Sequence, residues 1–162
     1  MTVLTEIDTG REGIANRVLS RLMALKAPLE TWGAPAVDLF LRALMFRAFF
    51  NSGMTKVQDW QNTLLLFEYE YMVPVLSPNV AAVLATATEL TMPVLILLGL
   101  FTRFAALPLL GMALVIQFVL GAANPAYSNV EHFYWMAILL FLITRGAGPV
   151  SLDRLLARRL GA

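Results

Sequence analysis

Residues 80–100, VAAVLATATELTMPVLILLGL, carry a single ionisable group, Glu89. A run of this length and polarity matches the about 20 residues that cross a bilayer as a helix. Inside hydrocarbon every backbone N–H and C=O must be satisfied by the protein itself, and an α-helix does this within one segment. Three further apolar segments, about 36–54, 104–121 and 130–145, fall near the same length, the last being short. The expected fold is therefore all-α: an integral membrane four-helix bundle. Composition agrees, with 59% apolar and 14% charged residues against about 45–50% and 25% in soluble domains. The 162 residues divide into an interfacial arm (1–35), a bundle (36–146) interrupted by a first outer loop (55–79), and an amphipathic tail (147–162).

Several chemistries are excluded or disfavoured. With no cysteine, disulfides, thiol redox chemistry and iron–sulfur clusters fall away. The lone histidine, His132, cannot build a His-rich metal site, so no metal centre is expected, and a haem held by His132 and a methionine is disfavoured. The eight methionines read as flexible core filler. A net charge of +1 offers no field for nucleic acid. Residues 1–34 lack the short apolar run and small-residue cleavage site of a signal peptide.

The basic residues are unevenly placed. Arg11, Arg17, Arg21, Lys26, Arg103, Arg145, Arg154, Arg158 and Arg159 fall on one side of the four segments, and Lys56 alone on the other. The positive-inside rule puts the first side, with both termini, in the cytoplasm. Ile14, Val18, Leu22 and Leu25 recur at helical spacing, which predicts an interfacial helix in the arm. The tail, with Ser151 as N-cap, Asp153 in its first turn and Arg158 and Arg159 in its last, reads similarly. In the first loop, Trp60, Phe67, Tyr69 and Tyr71 suit the headgroup layer. A short helix is expected near 59–71, with Pro74 and Pro78 breaking helix beyond it.

A carboxylate at mid-membrane costs roughly 2.5 kcal/mol or more on lenient insertion scales. At 1.5 Å rise per residue, Glu89 lies roughly 14 Å and Arg47 about 10 Å below the outer boundary. An Arg47–Glu89 pair is therefore expected. It reads either as a proton-handling centre or as a structural clasp. Arg42, four residues after Asp38, is expected to pair locally and snorkel. Asn51, Ser52, Lys56, Thr86, Gln117 and His132 gather in the outer half, as expected for a ligand-binding cavity opening outward. Ala81, Ala85 and Gly111 would allow close helix approach, within one chain or in a homo-oligomer.

Three stretches carry a family resemblance: RAFFNSGMTKVQDW (47–60), ELTMPVLILLGLFTRFAAL (89–107) and GAGPVSLD (146–153). Their order across residues 36–153 resembles the DoxX family of small four-helix membrane proteins. The LFEYEY segment resembles a subgroup encoded beside small metal-stress or copper-binding peptide systems. The resemblance implies a bacterial inner-membrane protein in a redox or stress setting. Thiol-dependent quinone reduction, used by related four-helix folds, cannot transfer to a chain without cysteine.

Two functions follow. In the first the protein is a quinone-binding redox subunit supplied with electrons by a partner, Arg47 polarising a quinone oxygen and Glu89 shuttling a proton. In the second it is a non-enzymatic anchor or docking protein for a metal- or oxidative-stress partner, with Trp60, Tyr69 and Tyr71 at the docking surface. A transporter is a weaker third reading, because four helices make a thin pathway.

Overall fold

The computed structural model describes residues 17, 20, 21, 23, 24, 26, 28–73 and 75–161. The chain forms two compact units, Met1–Val37 and Asp38–Ala162. In the first, the described residues are helical, turning to a wider π-type pitch over Leu29–Gly33. Arg17 and Arg21 are exposed, and Lys26 pairs with Glu30 at 3.3 Å. The expected stripe of Ile14, Val18, Leu22 and Leu25, with Arg11, lies outside the described residues.

The second unit is built from helices. α1 is Ala34–Gln58, its first turn belonging to the other unit. α2, Trp60–Leu65, begins where the Asp59 carboxylate accepts the Asn62 N–H and widens into a π-type turn at Leu66–Tyr71. Pro78 opens α3, Pro78–Leu98, from its first turn, where a proline loses no intrahelical bond. The proline thus ends the preceding segment and opens the apolar helix expected from about residue 80. α4 is Thr102–Ala123, with a π-type stretch at Val115–Leu120. α5 is Val130–Arg145 and α6 is Leu152–Leu160.

Among the described residues, α3 and α4 are long and apolar enough to cross a membrane. α1 is longer but carries Asp38, Arg42, Arg47 and Lys56, and α5 has 16 residues. The four pack around one core of Met45, Phe49, Ile96, Ala105, Ala106, Leu109, Leu139 and Leu142. Ala105 and Ala106 present no bulk, which lets α4 approach its neighbours closely. Phe40, Val83, Phe104, Leu107, Phe118 and Leu140 point outward, exposed. An apolar outer surface on this scale suits lipid and is rare on a soluble monomer.

α1 turns one stripe inward: Asp38, Arg42, Met45, Phe49 and Gly53. Arg42 does not snorkel. It is 1% exposed and donates to the carbonyls of Leu97 at 3.2 Å and Val150 at 2.5 Å. Those carbonyls belong to the end of α3 and the approach to α6, so one side chain ties three parts of the chain together. Nor does Asp38 form its ion pair with Arg42: its partner is Arg145, Nε to Oδ1 at 3.5 Å. The turn between α3 and α4 is held from the same side. Gly99 takes φ +68°, and Asp153 at the start of α6 accepts the Phe101 N–H and donates its own N–H to the Gly99 carbonyl.

Candidate functional site

Two helix positions and one carboxylate make the polar centre. Glu89 on α3 is 3% exposed. Its Oε2 lies 2.7 Å from Lys56 Nζ, and its Oε1 accepts from Lys56 Nζ at 3.0 Å and from Ser52 Oγ at 3.1 Å. Lys56 also donates to Ser52 Oγ at 2.9 Å. A buried carboxylate in this setting survives because it is both paired and hydrogen-bonded. The crossing depends on Gly53: a Cβ there would stand 3.0 Å from Glu89 Cβ and 2.9 Å from Leu90 Cδ2.

The expected Arg47–Glu89 pair is not formed. Arg47 is exposed and makes no ion pair or side-chain hydrogen bond among the described residues. Helical phase decides the partner. Arg47 lies nearly opposite the Met45–Phe49 face, whereas Ser52 and Lys56 continue it, and α1 runs on to Gln58 rather than ending near 54. Asn51, one turn after Arg47, shares its exposed face and stays outside the centre.

The Lys56–Glu89 pair and Ser52 border a cavity of about 430 Å³. Leu84, Ala85 and Thr88 of α3 and Pro108, Gly111 and Met112 of α4 line its sides. The π-type stretch of α4 adds Val115, Ile116 and Leu120; such widened turns recur at functional sites. Gly111 does not serve close packing within the chain: a Cβ there would meet nothing within 4 Å. Phe67, Tyr71, Val73 and Tyr127 complete the lining. Tyr127 donates to the Glu70 carboxylate, linking two loops. That bond pushes the Tyr127 phenol up to about 12, so the link holds at neutral pH and is lost as pH rises beyond the ordinary tyrosine range. Burial, with Glu70 and Glu89 nearby, pushes the Tyr71 phenol up as well, which keeps it a neutral donor beside the cavity.

The remaining expected residues scatter. Thr86 is buried, its Oγ1 without a partner among the described residues, and does not border the cavity. Gln117 and His132 form a separate node. Gln117 Oε1 accepts from the Asn129 N–H at 3.2 Å and lies 2.9 Å from His132 Nδ1, while its Nε2 donates to Ser128 Oγ at 2.8 Å. This node joins the end of α4 to the start of α5. Gln117→Leu should therefore destabilise the fold by about 1–3 kcal/mol, read by thermal unfolding in detergent. Of the expected docking aromatics, Tyr69 is 67% exposed and Trp60 half-buried, while Tyr71 lines the cavity instead. Thr88, Gly111 and Tyr127 were not singled out for the site. Thr88 adjoins Glu89 and had that signal, whereas Tyr127 had none, because its contact crosses two loops.

The comparisons with known proteins place this architecture. The DoxX family profile matches residues 37–122, which include Ser52, Lys56 and Glu89. The chain is also similar to an uncharacterized protein of Haemophilus influenzae, 31% identical over 127 residues, covering 74% of this chain and 83% of that one. No solved structure matches the chain. With its helical bundle, its two membrane-competent helices and a match spanning more than half its length, this chain belongs to the DoxX family of membrane proteins.

Proposed function

We propose that this protein is the quinone-binding membrane subunit of a redox or stress-response system. The observation that carries the reading is the cavity beside Glu89: its lining is mainly apolar, and among the described residues Lys56 and Glu89 are the only charged ones that border it. Its volume of about 430 Å³ falls within the about 300–1,000 Å³ of small-molecule sites. Leu84 and Val115 line it and are exposed, and in this reading a lipid-soluble ligand enters past them from the bilayer. A quinone, when bound, supplies a carrier of two electrons and two protons. Lys56 would direct an ammonium proton at a ligand oxygen and stabilise negative charge developing there. Glu89 would hold or release a proton, with Ser52 as the adjoining hydroxyl. The role first expected of Arg47 thus passes to Lys56. On this proposal a partner protein delivers the electrons. In this reading the protein sits in a bacterial inner membrane with both termini cytoplasmic and the cavity towards the outer face.

The test is quinone content. Protein purified in mild detergent is extracted with organic solvent, and quinone is quantified by mass spectrometry. Wild type should hold near-stoichiometric quinone. Gly111→Phe, at a cavity-lining position where an added Cβ meets nothing within 4 Å, should hold about tenfold less or lower still, a loss of about 1.4 kcal/mol of binding. Equal quinone in both, or none under lipid-preserving conditions, would sink the proposal. A second reading, a non-enzymatic docking protein for a metal- or oxidative-stress partner, draws on the exposed Tyr69 flanked by the exposed Glu68 and Glu70. Under it, Tyr69→Ala would abolish partner co-purification and Gly111→Phe would not.

A further inference from the structure

A second cavity, of about 480 Å³, lies at the opposite end of α1 from Lys56, beside the start of α4. Its lining brings together Arg103 of α4, Arg145 at the end of α5 and Arg154 of α6. In sequence Arg103 lies some forty residues or more before the other two, and the fold converges all three on one space. Arg103 and Arg154 are exposed and have no side-chain hydrogen bond or ion pair among the described residues. Arg103 Nε packs over the Gly146 backbone, where a Cβ would stand 3.3 Å away. Arg145 shares only its Nε with Asp38, and its side chain is half exposed. One acidic group, Asp153, also lines the cavity, and its Oδ1 is engaged by the Phe101 N–H at 2.9 Å. Positive charge therefore dominates.

The floor asks for an acceptor as well. α4 starts here without a side-chain cap, so its N-terminal dipole favours an anion. Thr102, its first residue, lines the cavity, is 1% exposed, and its Oγ1 has no hydrogen-bond partner among the described residues. A buried hydroxyl left unpaired is costly, and an anionic oxygen seated in this cavity would satisfy it. Apolar surface adjoins the same space. Phe101 and Phe104 line it at 61% and 73% exposure, and Leu107 continues the strip one turn along α4. α4 is one of the two membrane-competent helices, so this cavity lies where a helix enters hydrocarbon, at headgroup level.

We infer that this cavity binds the phosphate of an anionic glycerophospholipid. The phosphate sits among Arg103, Arg145 and Arg154 at the α4 N-terminus, and an acyl chain runs along Phe104 and Leu107. Free inorganic phosphate shares the anionic chemistry but has no use for the apolar strip. The inference is independent of what occupies the cavity beside Glu89.

Native mass spectrometry of the detergent-solubilised protein tests it, using phosphatidylglycerol and phosphatidylcholine of identical acyl chains, with inorganic phosphate as competitor. Wild type should retain phosphatidylglycerol about tenfold or more over phosphatidylcholine. The exposed pair Arg103→Gln/Arg154→Gln should erase that preference with unfolding temperature unchanged. Thr102→Val is the sharper variant. Removing an unpartnered hydroxyl should not weaken the fold, so a several-fold loss of retention would report a ligand contact. Equal retention of the two lipids, or a preference untouched by all three substitutions, would overturn the inference. Displacement of phosphatidylglycerol by an equal concentration of inorganic phosphate would overturn the lipid assignment in favour of a free anion.

Discussion

Glu89→Leu is expected to destabilise the protein by about 3–5 kcal/mol, because it strands the half-buried Lys56 ammonium among apolar neighbours. Lys56→Met should cost a similar amount by stranding Glu89. The double variant Lys56→Met/Glu89→Leu should recover most of the loss, since replacing both members of a buried pair with apolar residues of similar volume is often neutral. Thermal unfolding in detergent, combined as a double-mutant cycle, measures the coupling. The double variant also separates the two readings of Glu89. A recovered fold with no bound quinone identifies a ligand site. A recovered fold that still holds quinone and supports the partner system leaves the pair as a clasp, with no part in the chemistry.

Gly99→Val should be the most damaging single substitution at the other end of the bundle. Gly99 takes φ +68°, where a β-branched residue is strained by about 1–2 kcal/mol. Its new Cβ would also run into the Arg42 guanidinium, and would stand 2.6 Å from Ser151 Cβ and 3.0 Å from Ala147 Cβ. Arg42 is the side chain that joins α3 to the approach of α6, so displacing it removes hydrogen bonds from a buried charge, about 3–5 kcal/mol more. Little folded protein should be extracted from membranes, as read by size-exclusion chromatography in detergent. Gly161→Ala is the control. It has a similar left-handed φ of +71°, but its Cβ would meet nothing within 4 Å, so the loss should be limited to about 1–2 kcal/mol of backbone strain. An unfolding temperature for Gly99→Val equal to wild type would refute the role assigned to Arg42.

Element type and membrane class could be read from the sequence, because both depend on local quantities. The length of an apolar run sets whether a helix can span, and the backbone's need for internal hydrogen bonds leaves few alternatives. The short helix after Asp59 and the start of α6 at Ser151 were legible for the same reason: a cap is a contact over three residues. That Glu89 needed a cation was legible too, since the cost of burying a carboxylate does not depend on which cation relieves it.

The choice of cation was a tertiary decision. Arg47 and Lys56 are nine residues apart on α1, about half a turn out of phase at 3.6 residues per turn. Only one of them can face α3. Rise along the helix gave each a depth, but the rotation of α1 was set by Met45, Phe49 and Gly53 packing inward. That packing turned Ser52 and Lys56 onto Glu89 and left Arg47 and Asn51 outside. Three-dimensional convergence likewise made one cavity from Arg103, Arg145 and Arg154 and joined Gln117 to His132. By itself the sequence determined that charged groups are held among membrane helices, because transfer energies act on each residue separately. Which groups meet was decided by the tertiary structure, because meeting requires the rotation and crossing of whole helices, and those are set by core packing elsewhere in the bundle.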